Sequence, residues 1–101
     1  MNGDIIMHKF NNEAIEKFYE AILSLETIGE CKLFFDDVCT IQELDSIAQR
    51  LEVARLLNQG KSYAEINQVT GASTATICRV SKCVNYGGGG YKTALDRIGD
   101  K

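Results

Sequence analysis

The chain has 101 residues, of which 45% are hydrophobic and 25% charged, and its formal net charge is −3. This length suits one small domain, and this composition excludes a disordered chain. The sequence contains no apolar run near the ~20 residues that a membrane-spanning helix needs, and its N-terminus has no secretory signal, so we expect a cytoplasmic protein.

The four cysteines and the single histidine show no metal-ligand spacing. Cys78 and Cys83 are five residues apart, and on a helix they point in different directions. Reduced thiols are therefore expected, rather than a zinc site or a disulfide framework. Adjacent Asp36 and Asp37 diverge on a helix, and the serines have no histidine partner other than His8. We therefore predict no catalytic site, no metal and no cofactor.

Residues 1–10 are predicted to form a flexible N-terminal arm, and residues 11–101 a single helical domain. The first helix is expected to begin at Asn11 or Asn12, either of which can cap it. Its apolar residues repeat at spacings of three and four: Ile15, Phe18, Tyr19, Ile22 and Leu25.

The second helix is predicted to begin at Thr27, which forms a Thr-x-x-Glu capping box with Glu30. Its segment Leu33-Phe34-Phe35 is apolar more than halfway round the helix, which indicates burial on more than one side. A second copy of the chain would cover the other side, since a chain of this length buries a limited core alone. A tight core within one chain is an equally good interpretation of the pattern.

The third helix is predicted over Ile41 to Asn58, with Thr40 and Glu43 as its capping box and Gly60 as its terminator. Its apolar face is expected to comprise Ile41, Leu44, Ile47, Ala48, Leu51, Ala54 and Leu57. In a homodimer, apolar residues of the three helices are expected to form the shared core: Phe18, Ile22, Phe34, Phe35, Leu44 and Leu51.

Residues 62–84 are predicted to form a helix-turn-helix. Ser62 and Glu65 have capping-box spacing, Gly71 stands where the first helix must end, and Ser73 can cap the second. The inward side chains are expected to be Ile66, Val69, Ile77, Val80 and Val84. A short helix, a glycine turn and a second helix with a small, polar, partly basic outer face are typical of a reader of duplex DNA. The alternative is an αα-hairpin that only packs against the rest of the chain.

The charge distribution supports DNA binding. Residues 1–48 hold three Lys or Arg and ten Asp or Glu, a net charge of −7, whereas residues 49–101 hold eight and four, a net charge of +4. The helix-turn-helix lies in the positive half, as attraction to phosphate requires. Small residues at the start of the second helix are candidates for base contacts: Ser73, Thr74, Ala75 and Thr76. Polar and basic residues nearby are candidates for phosphate contacts: Ser62, Tyr63, Asn67, Arg79 and Lys82.

After the helix-turn-helix, four glycines at 87–90 are expected to end the second helix and give a pliable loop. A last short helix is expected from Tyr91 to Ile98. The sequence thus predicts an all-α protein of five or six helices.

Three segments carry a family resemblance: Ser-Tyr-Ala-Glu-Ile at 62–66, Thr-Gly-Ala-Ser-Thr-Ala-Thr-Ile-Cys-Arg-Val at 70–80, and Asn-Tyr-Gly-Gly-Gly-Gly-Tyr at 85–91. They resemble the Trp repressor superfamily, and most of all its YerC/YecD-type branch. The likeness runs from about Glu13 to Tyr91. It implies an intertwined, all-α homodimer that binds operator DNA.

The resemblance also implies a ligand site, because Trp repressors hold tryptophan between two arginines. Aligned without gaps, these positions fall on Gln49 and Arg79 in this chain. Arg50 is adjacent to Gln49 but is rotated by about 100° around the helix, so we expect it to point away. A neutral amide cannot supply a stacked cation. We therefore expect that tryptophan is not a co-repressor and that a different small effector, or none, binds there.

The sequence predicts a DNA-binding transcriptional regulator, a repressor by resemblance, that acts as a homodimer on a palindromic operator. One alternative is a helical interaction protein that keeps the fold without reading DNA. It would have an acidic or hydrophobic surface around Thr74 and Arg79. Another is a regulator that senses a small ligand or a thiol oxidant, which would need an apolar pocket near Arg79 or an exposed, low-pKa Cys78.

Overall fold

The computed structural model describes the backbone of residues 2–99 and the side chains of residues 11–99. These residues form six helices and no strand: α1 (Asn2–Leu23), α2 (Ile28–Val38), α3 (Ile41–Asn58), α4 (Tyr63–Thr70), α5 (Thr74–Tyr86) and α6 (Gly90–Arg97). The prediction of an all-α fold with five or six helices is confirmed.

The chain divides into two compact units, one ending at Thr40 and the other beginning at Ile41. The first unit contains α1 and α2, and the second contains α3 to α6. The single domain over residues 11–101 stays a prediction.

The first helix starts earlier than the sequence suggested. It begins at Asn2, so the predicted start near Asn11 or Asn12 is wrong, and the backbone of residues 2–10 is helical where we expected an arm. An asparagine inside a helix costs only about 0.7 kcal/mol relative to alanine, and the chain has no proline to interrupt the helix. A residue that can cap a helix therefore need not begin one. The side chains of residues 1–10 lie outside the described residues.

The second helix begins as predicted. The Thr27 Oγ1 accepts a hydrogen bond from the Glu30 backbone N–H at 3.0 Å, and the Glu30 carboxylate accepts one from the Glu26 N–H at 2.9 Å. In the same unit the Phe18 ring lies 5.8 Å from that of Phe34, which lies 5.4 Å from that of Phe35. Yet no residue of α2 is buried in the single chain.

The core of the second unit lies between the C-terminal half of α3 and the helices that pack on it. Its buried residues are Val53, Ala54, Leu56, Ile66, Ala72, Ile77, Val80 and Leu95. The bounds of α3 match the prediction. In the single chain, four residues of its predicted apolar face are exposed: Ile41, Ile47, Ala48 and Leu51. Burial of this face against a second copy of the chain stays a prediction. Val53 and Leu56 are buried instead. The reason is that α4, α5 and α6 cover only one side of α3 near its end.

Candidate nucleic-acid interface

The first helix of the helix-turn-helix, α4, is bounded by the two residues that the sequence indicated. The Ser62 Oγ accepts a hydrogen bond from the Glu65 N–H at 3.2 Å. Gly71 ends the helix with φ at +73°, a left-handed conformation that glycine adopts without a steric penalty. Ile66 is buried, but Val69 is 68% exposed, so the prediction that Val69 faces inward is wrong. Val69 lies on the side of α4 that nothing in its unit covers.

The turn is braced by two side chains that precede Gly71, those of Asn67 and Thr70. The Asn67 Nδ2 donates to the Ala72 carbonyl at 2.8 Å. The Thr70 hydroxyl donates to the Ile66 carbonyl at 2.7 Å and accepts from the Ala72 N–H at 3.1 Å. Two of these hydrogen bonds satisfy the carbonyl and the N–H of Ala72, which lies in the turn outside both helices. The amide of Asn67, a predicted phosphate contact, therefore already has a partner within the protein.

The second helix, α5, is capped by Ser73. The Ser73 Oγ accepts from the Thr76 N–H at 3.2 Å and donates to the Thr76 Oγ1 at 3.1 Å. Ile77 and Val80 are buried and anchor the helix on the core, and Val84 is half-buried against it. Both predictions, the cap and the inward face of α5, are confirmed.

The outer face of α5 carries most of the residues predicted to contact DNA. Thr74 and Ala75 are exposed at its first turn, and Arg79 and Lys82 are exposed further along. Among the described residues no carboxylate forms a salt bridge with Arg79 or Lys82. The face is therefore small and polar where the helix begins and positively charged behind, an arrangement that suits a helix end placed in the major groove between phosphates.

The other predicted contact residues differ in their availability. Ser62 and Tyr63 are exposed at the start of α4, and Ser73 is exposed at the start of α5. The Ser62 and Ser73 oxygens act as helix caps, and Thr76 is half-buried with its hydroxyl bonded to Ser73. Their contacts with DNA stay predictions.

Beside α5, a polar cleft of about 180 Å³ is lined by Ser46, Gln49, Arg50, Thr76 and Arg79. The cleft thus joins the two positions that the family resemblance singled out, Gln49 and Arg79. The expectation that Arg50 points away is wrong, because Arg50 lines the same cleft. Its Nε donates to the Ser46 carbonyl at 3.3 Å. Neighbouring positions on a helix are rotated by about 100°, but a long side chain such as that of arginine can reach around the helix to the adjacent face. The prediction considered only the Cα positions.

Gln49 has a partner within the protein, as Asn67 does. Its Nε2 donates to the Thr70 carbonyl at 3.1 Å, which links α3 to the last residue of α4. Sequence reasoning missed both Arg50 and Thr70 as site residues. The signal for Thr70 was present, because a threonine just before a terminating glycine can bond back to the preceding turn.

The arginines of the second unit differ in their electrostatic environment. The Arg55 Nε donates to the Glu52 Oε2 at 3.0 Å, and this hydrogen bond holds the pKa of the Glu52 carboxyl below its ordinary value. Arg55 thus has an acidic partner within α3. The charge of Arg79 on α5 is available to an external anion.

Over the described residues, no group of three or more His, Cys, Asp or Glu side chains could hold a metal ion. In the same part of the chain, no helix is long and apolar enough to cross a membrane.

A family profile, a sequence relative and two solved structures are similar to this chain. The sequence profile of the family described as Trp repressor protein matches residues 13–99. The uncharacterized protein YerC of Bacillus subtilis (strain 168) is 52% identical over 90 residues, which cover 89% of this chain and 86% of YerC. The crystal structure of a candidate Trp repressor from Staphylococcus aureus matches with a TM-score of 0.86 and 44% identity, over 94% of this chain and 95% of that one. A TrpR-like protein from Eubacterium eligens matches with a TM-score of 0.85 and 47% identity, over 91% of this chain and 95% of that one.

Proposed function

The chain belongs to the Trp repressor family, in its YerC-type group, and on this premise we propose that it is a sequence-specific transcriptional repressor that binds a palindromic operator as a homodimer. The observation that carries the proposal is the outer face of α5. It is exposed, small at its first turn and positive behind, while Ile77 and Val80 fix the helix to the core. A cytoplasmic site of action is part of the same proposal.

The chemistry of this face indicates how DNA is read. Arg79 and Lys82 are positioned for phosphates, which contribute affinity without sequence preference. The Thr74 hydroxyl can bond to a base edge, and the Ala75 methyl group can contact a thymine methyl. Neither residue can form the bidentate pair with guanine that arginine forms. Sequence preference would therefore depend in part on bridging water and DNA shape.

Exposed apolar side chains support the homodimer. Leu33 is 71% exposed and Ile41 is 81% exposed, and α2 buries no residue. Large apolar side chains left exposed in this way favour an interface. A second copy is the occupant we propose, because a two-fold dimer places two copies of α5 on half-sites one helical turn apart.

We infer that tryptophan is not a co-repressor of this protein, and the lining of the cleft beside α5 supports this. All five residues that line it in the single chain are polar or charged, so this chain itself places no apolar side chain against an indole ring. Arg50 and Arg79 offer positive charge to an anion instead. The regulator we propose therefore does not need tryptophan for binding to its operator, and any small effector would be anionic.

Of the two alternatives, the structure favours the sensor over the interaction module. The surface around Thr74 and Arg79 is polar and basic, which is not the acidic or apolar surface expected of a module that has stopped reading DNA. Cys78 is exposed on α5 beside Arg79, so oxidation of its thiol would alter the proposed DNA-binding face.

Selection from random DNA duplexes tests the proposal. The purified protein should enrich a site with two-fold symmetry, and its affinity should fall steeply as salt increases. Binding that is weak, unselective and independent of salt would overturn the regulator and leave the interaction module. Selection repeated with the Cys78→Ser variant, with and without peroxide, would separate a thiol sensor from a plain repressor.

A further inference from the structure

The side-chain amide of Gln49 connects two helices that are distant in sequence. Its Nε2 donates to the carbonyl of Thr70, 21 residues further along the chain, at 3.1 Å. Gln49 is half-buried near the middle of α3, and Thr70 is the last residue of α4. The bond therefore ties the end of α4 to the helix that carries the core of this unit.

Thr70 is also hydrogen-bonded within the turn between α4 and α5. While its carbonyl accepts from Gln49, its hydroxyl donates to the Ile66 carbonyl and accepts from the Ala72 N–H. Ala72 is buried and stands two residues before α5 begins at Thr74. Three hydrogen bonds thus hold Thr70 in place, and α5 begins four residues later, at Thr74.

Gln49 also faces the cleft that borders α5. It lines this cleft together with Thr76 and Arg79, both of which belong to α5. A glutamine amide at the wall of a cleft could serve a ligand, but here its donor group points to Thr70. The direction of this hydrogen bond makes Gln49 part of the support of the turn.

We propose that Gln49 is a positioning residue for DNA recognition: its amide donor fixes the turn, and with it the first turn of α5, relative to α3 without a bound effector. This inference rests on the proposed function, in which α5 reads DNA. It requires that DNA recognition depend on the Nε2 hydrogen-bond donor of Gln49 and not on the volume of its side chain.

Two substitutions separate the donor from the volume. Gln49→Met keeps the length without a donor, and Gln49→Glu keeps the shape but opposes a carboxylate to the Thr70 carbonyl. Gln42→Met is the matched control, because Gln42 is exposed in the first turn of the same helix and does not line the cleft. All three proteins should fold, as the core residues are unchanged.

The first measurement needs no DNA. Amide hydrogen exchange at Gly71 and Ala72 should be about fivefold faster in Gln49→Met than in wild type, as expected for loss of one partly buried hydrogen bond. It should be faster still in Gln49→Glu and unchanged in Gln42→Met. Equal exchange in all four proteins would show that the bond does not hold the turn.

The second measurement compares affinity for a selected DNA site with affinity for an unrelated duplex of equal length. In Gln49→Met, the ratio of the affinity for the selected site to the affinity for the unrelated duplex should be about fivefold lower than in wild type. The reason is that specific binding weakens while non-specific electrostatic binding persists. An equal loss for both duplexes would indicate general damage and overturn the positioning role. If wild type does not bind the selected site more tightly than the unrelated duplex, the regulator proposal fails, and the positioning role fails with it. If wild type discriminates and Gln49→Met discriminates equally well, only the positioning role fails.

Discussion

The side-chain amide of Asn67 donates to the backbone carbonyl of Ala72 at 2.8 Å, across the left-handed Gly71. This bond closes the turn between α4 and α5 together with the backbone hydrogen bond that the Gly71 N–H donates to the Asn67 carbonyl. The same residue thus braces the turn twice, once through its side chain and once through its main chain. A residue predicted to contact phosphate therefore has a structural role.

Asn67→Ala should lower the free energy of unfolding by about 1 kcal/mol more than Asn85→Ala does. Both residues are exposed on helices, so the change in helix propensity cancels between them. Asn85 bonds only to the Ser81 hydroxyl on its own helix, at 3.3 Å. Urea denaturation measures the difference. Equal losses would mean that the Asn67 amide contributes nothing to the turn.

Gly87→Ala should destabilise the protein by about 1–3 kcal/mol, because a methyl group at this position would collide with the Cys83 carbonyl oxygen. Gly88→Ala is the control, since a methyl group there meets nothing within 4 Å. It should change stability by less than about 1 kcal/mol, through the unfolded state alone. Thermal unfolding of both variants checks the pair, and a Gly87→Ala protein as stable as wild type would contradict it.

Arg79→Ala and Lys82→Ala should each weaken DNA binding on all sequences and reduce the slope of log affinity against log salt by about 1. Both charges are exposed on α5 and unpaired among the described residues. Lys17→Ala is the control, because Lys17 lies on α1 and pairs with Glu20 at 3.8 Å. Fluorescence anisotropy at several salt concentrations gives the slopes.

The small residues of α5 should behave differently from its cations. Thr74→Ala should alter preference among DNA sites while leaving the salt slope unchanged, since it removes a base contact and no charge. If Arg79→Ala, Lys82→Ala and Thr74→Ala all bind like wild type, α5 is not the recognition helix.

The melting temperature should rise with protein concentration, as it does for an obligate homodimer. Leu33→Glu should abolish this dependence or lower the melting temperature at every concentration, because it places a charge in the proposed interface. Lys32→Glu, at the neighbouring exposed position, should have a smaller effect. A folded monomer in sedimentation at micromolar concentration would refute the dimer.

L-Tryptophan should neither bind tightly nor strengthen DNA binding. The cleft beside Arg79 offers two guanidinium groups but no apolar wall for the ring, and the Gln49 amide donates to Thr70. Calorimetry with L-tryptophan, with DNA affinity measured in parallel, tests this. Tight binding together with a matching gain in affinity for DNA would show that the cleft receives its apolar wall from elsewhere.

The sequence by itself determined where most helices begin and end. Thr27, Ser62 and Ser73 cap helices as their spacing indicated, and Gly71 ends α4. These features are local, because each depends on hydrogen bonds between residues three or four apart or on the freedom of glycine at one position. A cap becomes ambiguous only when the helix can continue through it, which is why α1 begins at Asn2 and not at Asn11.

Only the tertiary structure decided which faces are buried and which side chains meet. Val69 and Leu51 fit the apolar periodicity yet are exposed, whereas Val53 is fully buried. Periodicity shows that a helix has an apolar face, but burial depends on what packs against that face. The bond from Gln49 to Thr70 could not be foreseen for the same reason. Its two residues are 21 positions apart, and their distance is set by the angle at which α4 packs on α3.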